Sequence, residues 1–306
     1  MTTLGSRAAK PAAAPATVRT LPPAGHRRPG NILTLFMLAC LVYFLLPLFW
    51  LVMAATKSNS GLFNSFGLWF GHDFDLFTNL HDVLTYNDGV YVRWLLNTLM
   101  YATVSAVGAS LIAAMGGYAF AKYRFPGRNA MFAIVLGSIM VPQTVLAIPT
   151  YLLFSKIGLV NTPLAVILPS LVSPFGLYLM RVYAEGAVPD SLIEAARIDG
   201  AGPFRIFRQV AFRLLAPGIV TVLLFTLVST WNNYFLPLIM LNNPRWYPVT
   251  VGLAQWQGQA SGGSGAQALF SLVITGALLS IIPLIAAFLL LQRYWQGALG
   301  LGAVKG

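Results

Sequence analysis

Side chains that could carry acid–base, nucleophilic or metal chemistry are few in this chain of 306 residues, which has eight Asp and Glu, three His and one Cys. The acidic residues form two groups of four, one before residue 90 and one after residue 184. His72, Asp73, Asp75 and His81 could be read as metal ligands, but their spacing matches no defined site, and a solvated loop is the simpler interpretation. We therefore predict no catalytic residue, no metal site and no cofactor bound by this chain.

The second acidic group lies in a polar segment, 184–213, whose pattern indicates two short helices. Ser191 and Glu194 have the spacing of a capping box, in which each side chain accepts a hydrogen bond from the other residue's backbone N–H. The helix that follows should end at Gly200, because glycine adopts the left-handed conformation without steric cost. Pro203 suits the first position of a second helix. We predict a helix-turn-helix elbow at the membrane surface.

Two functions for the elbow stay open on the residues alone. Ala195 and Ala196 are small enough to let another backbone approach closely, and the bend at Gly200 gives a compact shape that would fit a cleft on a partner protein. Alternatively, the elbow is a surface helix whose arginines contact anionic lipid headgroups.

A second candidate site combines aromatic rings with amides in an apolar stretch. Its residues are Trp231, Asn232, Asn233 and Tyr234, with Gln143 as a further candidate. Aromatic faces and amides bind sugars, and an amide in hydrocarbon is costly unless it is hydrogen-bonded. These residues are predicted to line a solute pathway, although amides also link neighbouring helices in membranes.

The elements that must position these residues are membrane helices. The chain is 57% hydrophobic and 9% charged, against about 25% charged in soluble domains, and its mean hydropathy is +0.73. Residues 1–30 are predicted to be a disordered tail and 31–306 a membrane domain. Six apolar stretches are each long enough to cross a bilayer; they lie near 32–53, 95–121, 130–154, 163–183, 214–241 and 269–291.

The net charge of +11 sets the orientation. With six spans both termini share a side, and fifteen of the nineteen Lys and Arg lie on it, which predicts cytoplasmic termini and no nucleic-acid partner. No acidic residue falls inside a predicted span, so proton or sodium coupling is not expected. The aromatic residues near span ends are predicted to be interfacial anchors; they are Trp69, Trp94, Trp246, Tyr247 and Trp256.

Four separated motifs resemble one family. The elbow is similar to the EAA loop of the integral-membrane subunits of bacterial binding-protein-dependent ABC importers, in Glu194-Ala195-Ala196, Asp199-Gly200-Ala201, Phe207, Val210 and Pro217-Gly218. Three more stretches resemble the maltose-type second permease of the carbohydrate-uptake branch: Ala121–Arg128, Trp231–Leu238, and Gln292-Arg293-Tyr294-Trp295 with the terminal Gly302–Gly306. The chain departs from the family at Phe212-Arg213, where a proline is usual, and at Asn233, where an acid is common.

The resemblance implies an all-α type I ABC importer permease fold with six transmembrane helices and a coupling elbow between the fourth and fifth. It implies a heterodimer with a second permease and two ATPase subunits that hold ATP and Mg²⁺. It also implies an extracellular solute-binding lipoprotein, which the outer loops would contact. Together these proteins would move a di- or oligosaccharide or a related polyol across a bacterial inner membrane. Passive channels and membrane enzymes of glycan or lipid metabolism are the alternatives. The residues that the resemblance implies for ATPase coupling are Ser191, Glu194, Ala195, Ala196, Asp199, Gly200, Phe204 and Phe207.

Overall fold

A computed structural model describes residues 30–261 and 268–300, and these form helices with short connections and no strand. The predicted tail up to residue 29, residues 262–265 of the glycine-rich loop and the motif 302–306 lie outside the described residues. The helices are α1 Asn31–Ala55, α2 Asn59–Asn64, α3 Leu76–Lys122, α4 Arg128–Ile139, α5 Gln143–Lys156, α6 Leu164–Ser170, α7 Pro174–Ala187, α8 Asp190–Ile198, α9 Pro203–Ile206, α10 Phe212–Trp231, α11 Phe235–Met240, α12 Val249–Ala260 and α13 Ala268–Gly300.

Five helical stretches in the described ranges are long and apolar enough to cross a membrane, and α4 with α5 makes a sixth candidate that is bent by 104°. Two predicted spans are therefore broken: the third between α4 and α5, and the fourth between α6 and α7. Pro142 precedes α5 and Pro174 begins α7, positions where the missing N–H of proline costs no intrahelical bond. The predicted fifth span is too long, because α10 ends at Trp231.

Helix α3 is the central element of the compact unit that spans residues 48–306. Gly117 lies against the backbone of α7, where an added β-carbon would be 2.7 Å from Arg181 N and in contact with Met180. Alanines repeat along the same helix and are buried against α7 and α10. Small side chains let helix backbones approach closely, which is how helices associate in lipid.

Helix α3 is interrupted by non-helical φ and ψ angles at residues 86–89, and its early turns after this interruption hold the connection between α11 and α12 through hydrogen bonds. Asn97 Nδ2 donates to the carbonyls of Arg245 and Tyr247, at 2.9 and 3.0 Å. Trp94, Thr98 and Tyr101 bind the same segment, at Pro244 O (2.9 Å), Val249 N (2.8 Å) and Trp246 O (2.8 Å). We call this end of the bundle the loop end, and the other, at Lys122, the elbow end.

Two of the tryptophans predicted as interfacial anchors are core residues, so that prediction is wrong for them. Trp94 is 2% exposed and Trp256 3% exposed, with ring centroids 4.9 Å apart. A β-carbon at Gly252 would overlap Trp94, so the indole fills the space that the glycine leaves. Trp69 is 63% exposed and can still serve as an anchor.

The first loop, residues 56–75, is attached to the last helix. The side chain of Asn59 donates to Ser271 Oγ (3.1 Å) and accepts from Ser271 N (3.0 Å), in the first turn of α13. Phe63 packs edge-on against Phe270, with ring centroids 5.3 Å apart. Residues 212 positions apart in sequence are therefore in contact at the loop end.

We predict that Gly117→Val destabilises the bundle by about 1–3 kcal/mol, because the branched side chain meets backbone that cannot move aside. Gly137→Val is the matched control, since nothing lies within 4 Å of a β-carbon there. The measurement is the fraction of monodisperse protein left after heating in detergent. Equal losses for the two variants would contradict the assignment of Gly117 to a helix contact.

Candidate functional site

The first helix of the elbow starts two residues earlier than predicted. Helix α8 begins at Asp190, the residue at its N-cap position is Pro189, and no side chain caps it. Ser191 is already inside the first turn, so it cannot act as an N-cap. The predicted capping box between Ser191 and Glu194 is therefore wrong, and the Glu194 carboxylate is exposed.

The predicted end of this helix is confirmed in detail. Gly200 has a φ of +76°. Its N–H donates to Arg197 O at 3.0 Å, and the N–H of Ala201 donates to Ala196 O at 2.9 Å. This pair of bonds is a Schellman motif, which satisfies carbonyls that the helix end would leave free.

The second helix of the elbow continues into the membrane without a break. Helix α9 begins with Pro203 at its first position, as predicted. A π-helical turn over Phe207–Ala211 then leads directly into α10. The helix runs on past Pro217, which lies inside α10. No proline stands at Phe212-Arg213 to end it, so one helical stretch joins the elbow to the bundle.

The elbow has an inner and an outer face. On the inner face Ile193 and Ile206 are buried, and the Phe207 ring lies 5.3 Å from that of Tyr118. The outer face presents Ile198 and Phe204, which are 87% and 71% exposed. Of the eight predicted coupling residues, six are exposed and two, Ala196 and Phe207, are half-buried. The exposed ones are Ser191, Glu194, Ala195, Asp199, Gly200 and Phe204.

The sequence reasoning missed Ile198. With Ile193 as the buried position, 100° per residue places Ile198 on the far side of the helix. That spacing could have identified it as an apolar residue on the outer face.

An ion pair fixes the base of the elbow to α3. Lys122 Nζ donates to Asp190 Oδ1 at 2.8 Å, with the lysine side chain 8% exposed and the aspartate 76% exposed. This hydrogen bond, with the positive charge, lowers the pKa of the Asp190 carboxyl. Asp190 also lies in the first turn of α8, where a negative charge is favourable. Within the described ranges no ion pair engages Glu194 or Asp199 further along the elbow.

The second candidate site is a cavity of about 610 Å³ at the breaks between helices. It lies where α4 meets α5, where α6 meets α7, and against the later turns of α10. Phe175 and Phe225 pack edge-on in its wall, with ring centroids 5.8 Å apart. No charged side chain or histidine of the described chain lines it, whereas eight hydroxyl side chains do; these are Ser138, Thr144, Thr150, Ser170, Ser173, Thr226, Ser229 and Thr230.

The structure divides the five predicted pathway residues. Gln143 and Asn233 line the cavity. Trp231 is 4% exposed in the core, and Asn232 Nδ2 donates back to Val228 O at 2.9 Å. Tyr234 is 41% exposed and does not line the cavity. Helix α10 ends at Trp231, so residues 231–234 lie at a helix end. The sequence instead predicts them to lie inside the span 214–241.

We predict that Asp190→Asn loosens the base of the elbow and increases hydrogen–deuterium exchange of the α8 amides by up to a few fold. Asp199→Asn, whose carboxylate has no ion pair in the described chain, should leave that exchange unchanged. Because the pKa of Asp190 is lowered, its carboxylate is ionised at every pH above the usual Asp range. The ion pair is lost only as the pH falls through the lowered pKa. Exchange corrected for its intrinsic pH dependence should thus be equal at pH 7 and pH 6; a rise at pH 6 would contradict the pairing.

Three comparisons place this architecture among known proteins. The chain is 31% identical to the arabinooligosaccharides transport system permease protein AraQ of Bacillus subtilis, over 90% of this chain and 95% of the relative. It is 32% identical to the sn-glycerol-3-phosphate transport system permease protein UgpE of Rhizobium meliloti, over 66% and 70%. The fold matches a chain in the crystal structure of a bacterial ABC transporter involved in the import of the acidic polysaccharide alginate, with a TM-score of 0.75 and 22% identity, over 87% of this chain and 96% of that one.

The family profile described as binding-protein-dependent transport system inner membrane component matches residues 89–296, more than half of the chain. This match includes the elbow, the cavity and α3 from its interruption near Gly89 onward. The chain is therefore a multi-pass membrane protein and belongs to the family of inner membrane components of binding-protein-dependent transport systems.

Proposed function

We propose that this chain is a permease subunit of an ATP-driven importer that moves a neutral sugar across a bacterial inner membrane. The observation that carries the proposal is the elbow, which presents the exposed apolar side chains Ile198 and Phe204 together with the exposed carboxylate of Glu194. Exposed apolar residues rimmed by charge are typical of a protein contact. The occupant proposed for the outer face is an ATPase subunit that holds ATP and Mg²⁺.

The two candidate sites are parts of one mechanism, because a single helical stretch connects them. Phe204 lies on the outer face of the elbow, and Phe225 lies in the cavity wall, 21 residues later in the same stretch. At 1.5 Å per residue they are about 32 Å apart. A displacement of the elbow by the ATPase would therefore move the cavity wall directly.

The absent capping box changes the role proposed for Glu194. Its carboxylate is not used to cap α8, so it is available to a basic residue of the ATPase. Phe207 contributes differently: packed on Tyr118, it stiffens the elbow against the bundle. Ile198 takes the place of Phe207 as an apolar contact.

The cavity supports a neutral, hydroxyl-rich solute. Its wall offers hydroxyls, two amides and aromatic rings but no cationic group, and a phosphate or carboxylate ordinarily requires Arg, Lys or clustered N–H groups. An oligosaccharide such as the one named for the AraQ relative fits this wall better than an anion. A second permease subunit would close the cavity, and an extracellular binding lipoprotein would deliver the solute.

The distribution of basic residues supports the orientation. Lys122 and Arg128 lie at the elbow end, and the elbow carries Arg197, Arg205 and Arg208. Positive charge is retained on the cytoplasmic side, so the proposed location of the elbow end, and with six spans of both termini, is the cytoplasm.

We predict that Gly200→Val abolishes ATP-driven uptake in reconstituted vesicles while membrane insertion is unchanged. A branched side chain cannot readily adopt the positive φ of the Schellman turn. Gly202→Val is the matched control, since Gly202 has a φ of −69° and open space around it. Normal uptake by the Gly200 variant would refute the coupling role of the elbow.

We predict opposite defects for two phenylalanines of the elbow. The Phe204→Ala variant should recover less ATPase subunit on purification, while its thermal stability stays unchanged because the ring is 71% exposed. The Phe207→Ala variant should lose about 1–3 kcal/mol of unfolding free energy, as expected for a half-buried ring. Below its melting temperature it should still co-purify with the ATPase subunit. The measurements are ATPase recovery on affinity purification and a melting curve. Full ATPase recovery with Phe204→Ala would argue against docking on the outer face.

A further inference from the structure

The first loop and the first turn of α3 carry a row of exposed aromatic rings that the transport mechanism does not use. We call Trp69, Phe70, Phe74 and Phe77 the aromatic ladder. Successive ring centroids are 5.7, 6.2 and 6.3 Å apart, so the four rings form one continuous surface. They are between 45% and 75% exposed. A contiguous apolar surface of this kind marks a site of interaction.

The loop folds back along the end of the first span. A β-carbon at Gly67 would lie 3.6 Å from Trp50 Nε1. Trp50 is five residues before the end of α1, or about 7.5 Å inside it along the helix axis. The chain that begins the aromatic ladder is thus held beside the final turns of an apolar helix long enough to span a membrane, and the ends of such a helix lie near the polar headgroups.

Hydrogen bonds fix the far side of the ladder at the same level. The N–H of Asp75 donates to Thr56 O at 2.8 Å. Asn79 is buried, and its Nδ2 donates to the carbonyls of Ala55 and Lys57, both at 2.9 Å. Phe74 and Phe77 flank this attachment, so they too lie level with the last residue of α1.

The same loop gathers its polar groups away from the ladder. Lys57 is 1% exposed, and its Nζ donates to Phe66 O at 2.7 Å. A small cavity of about 140 Å³ beside it is lined by Ser58, Ser60 and His72 among other polar residues, and by none of the four ladder rings. The loop therefore has one aromatic and one polar side.

We propose that the aromatic ladder is a membrane-interface anchor, lying among the phospholipid headgroups at the loop end and bearing the first loop on the bilayer surface. Tryptophan and other aromatic rings favour this region because an apolar body can enter hydrocarbon while polar edges stay wet. Position decides for lipid over a protein occupant: both attachments hold the ladder level with the end of a span. The inference rests on the chain spanning a membrane and not on the solute or the ATPase.

The test places a nitroxide label on single cysteines in the Cys40→Ser background, with the whole transporter in lipid nanodiscs. Trp69→Cys and Phe74→Cys probe the ladder. Ser60→Cys is the matched control on the polar side of the same loop. We expect the ladder labels to collide more often with oxygen, which concentrates in hydrocarbon, than with a water-soluble nickel chelate, and the control label to show the reverse.

A second measurement uses the natural side chain. Lipids brominated near the headgroup should quench a larger fraction of the fluorescence of the natural protein than of Trp69→Phe. Three results would overturn the proposal: ladder labels with the accessibility of the control, ladder labels shielded from both reagents as at a protein interface, or accessibility that falls only when the solute-binding protein is added. The last two would assign the ladder to a protein partner.

Discussion

The close approach of α3 to α7 and α10 is the contact on which the other features depend. In lipid, helices gain little from hiding apolar surface from one another, so association rests on packing and on the closeness of backbones. Gly117 provides this closeness against Met180 and Arg181. With α3 fixed in the centre, Lys122 reaches the base of the elbow at one end, and Asn97 holds the connection to α12 at the other.

The bundle sets broken helices against a continuous one. The breaks before Pro142 and Pro174 border the cavity, and irregular backbone is tolerated within a membrane where it borders such a space. The helical stretch from Pro203 to Trp231 stays unbroken. Five of the eight cavity hydroxyls lie on the broken helices and at their breaks, and the continuous stretch supplies the other three, so the helix that reaches the elbow also forms part of the polar wall.

Local signals in the sequence were sufficient where the deciding interaction is itself local. Gly200 ends α8 and Pro203 begins the next helix because each acts through its own backbone. The capping box failed because α8 begins at Asp190, which pairs with Lys122, 68 residues away, and Ser191 therefore lies inside the first turn. The burial of Trp94 was equally hidden, since a tryptophan near a span end has the same sequence pattern whether it meets lipid or a glycine on another helix.

The contact between Asn59 and Ser271 also has a consequence in time. Its partners are 212 residues apart, and a ribosome adds about 5–20 residues per second. Asn59 therefore emerges some tens of seconds before the first turn of the last helix exists. Throughout that interval the first loop can be held only by bonds to nearby residues, and its contact with α13 forms only after the first turn of that helix has entered the membrane.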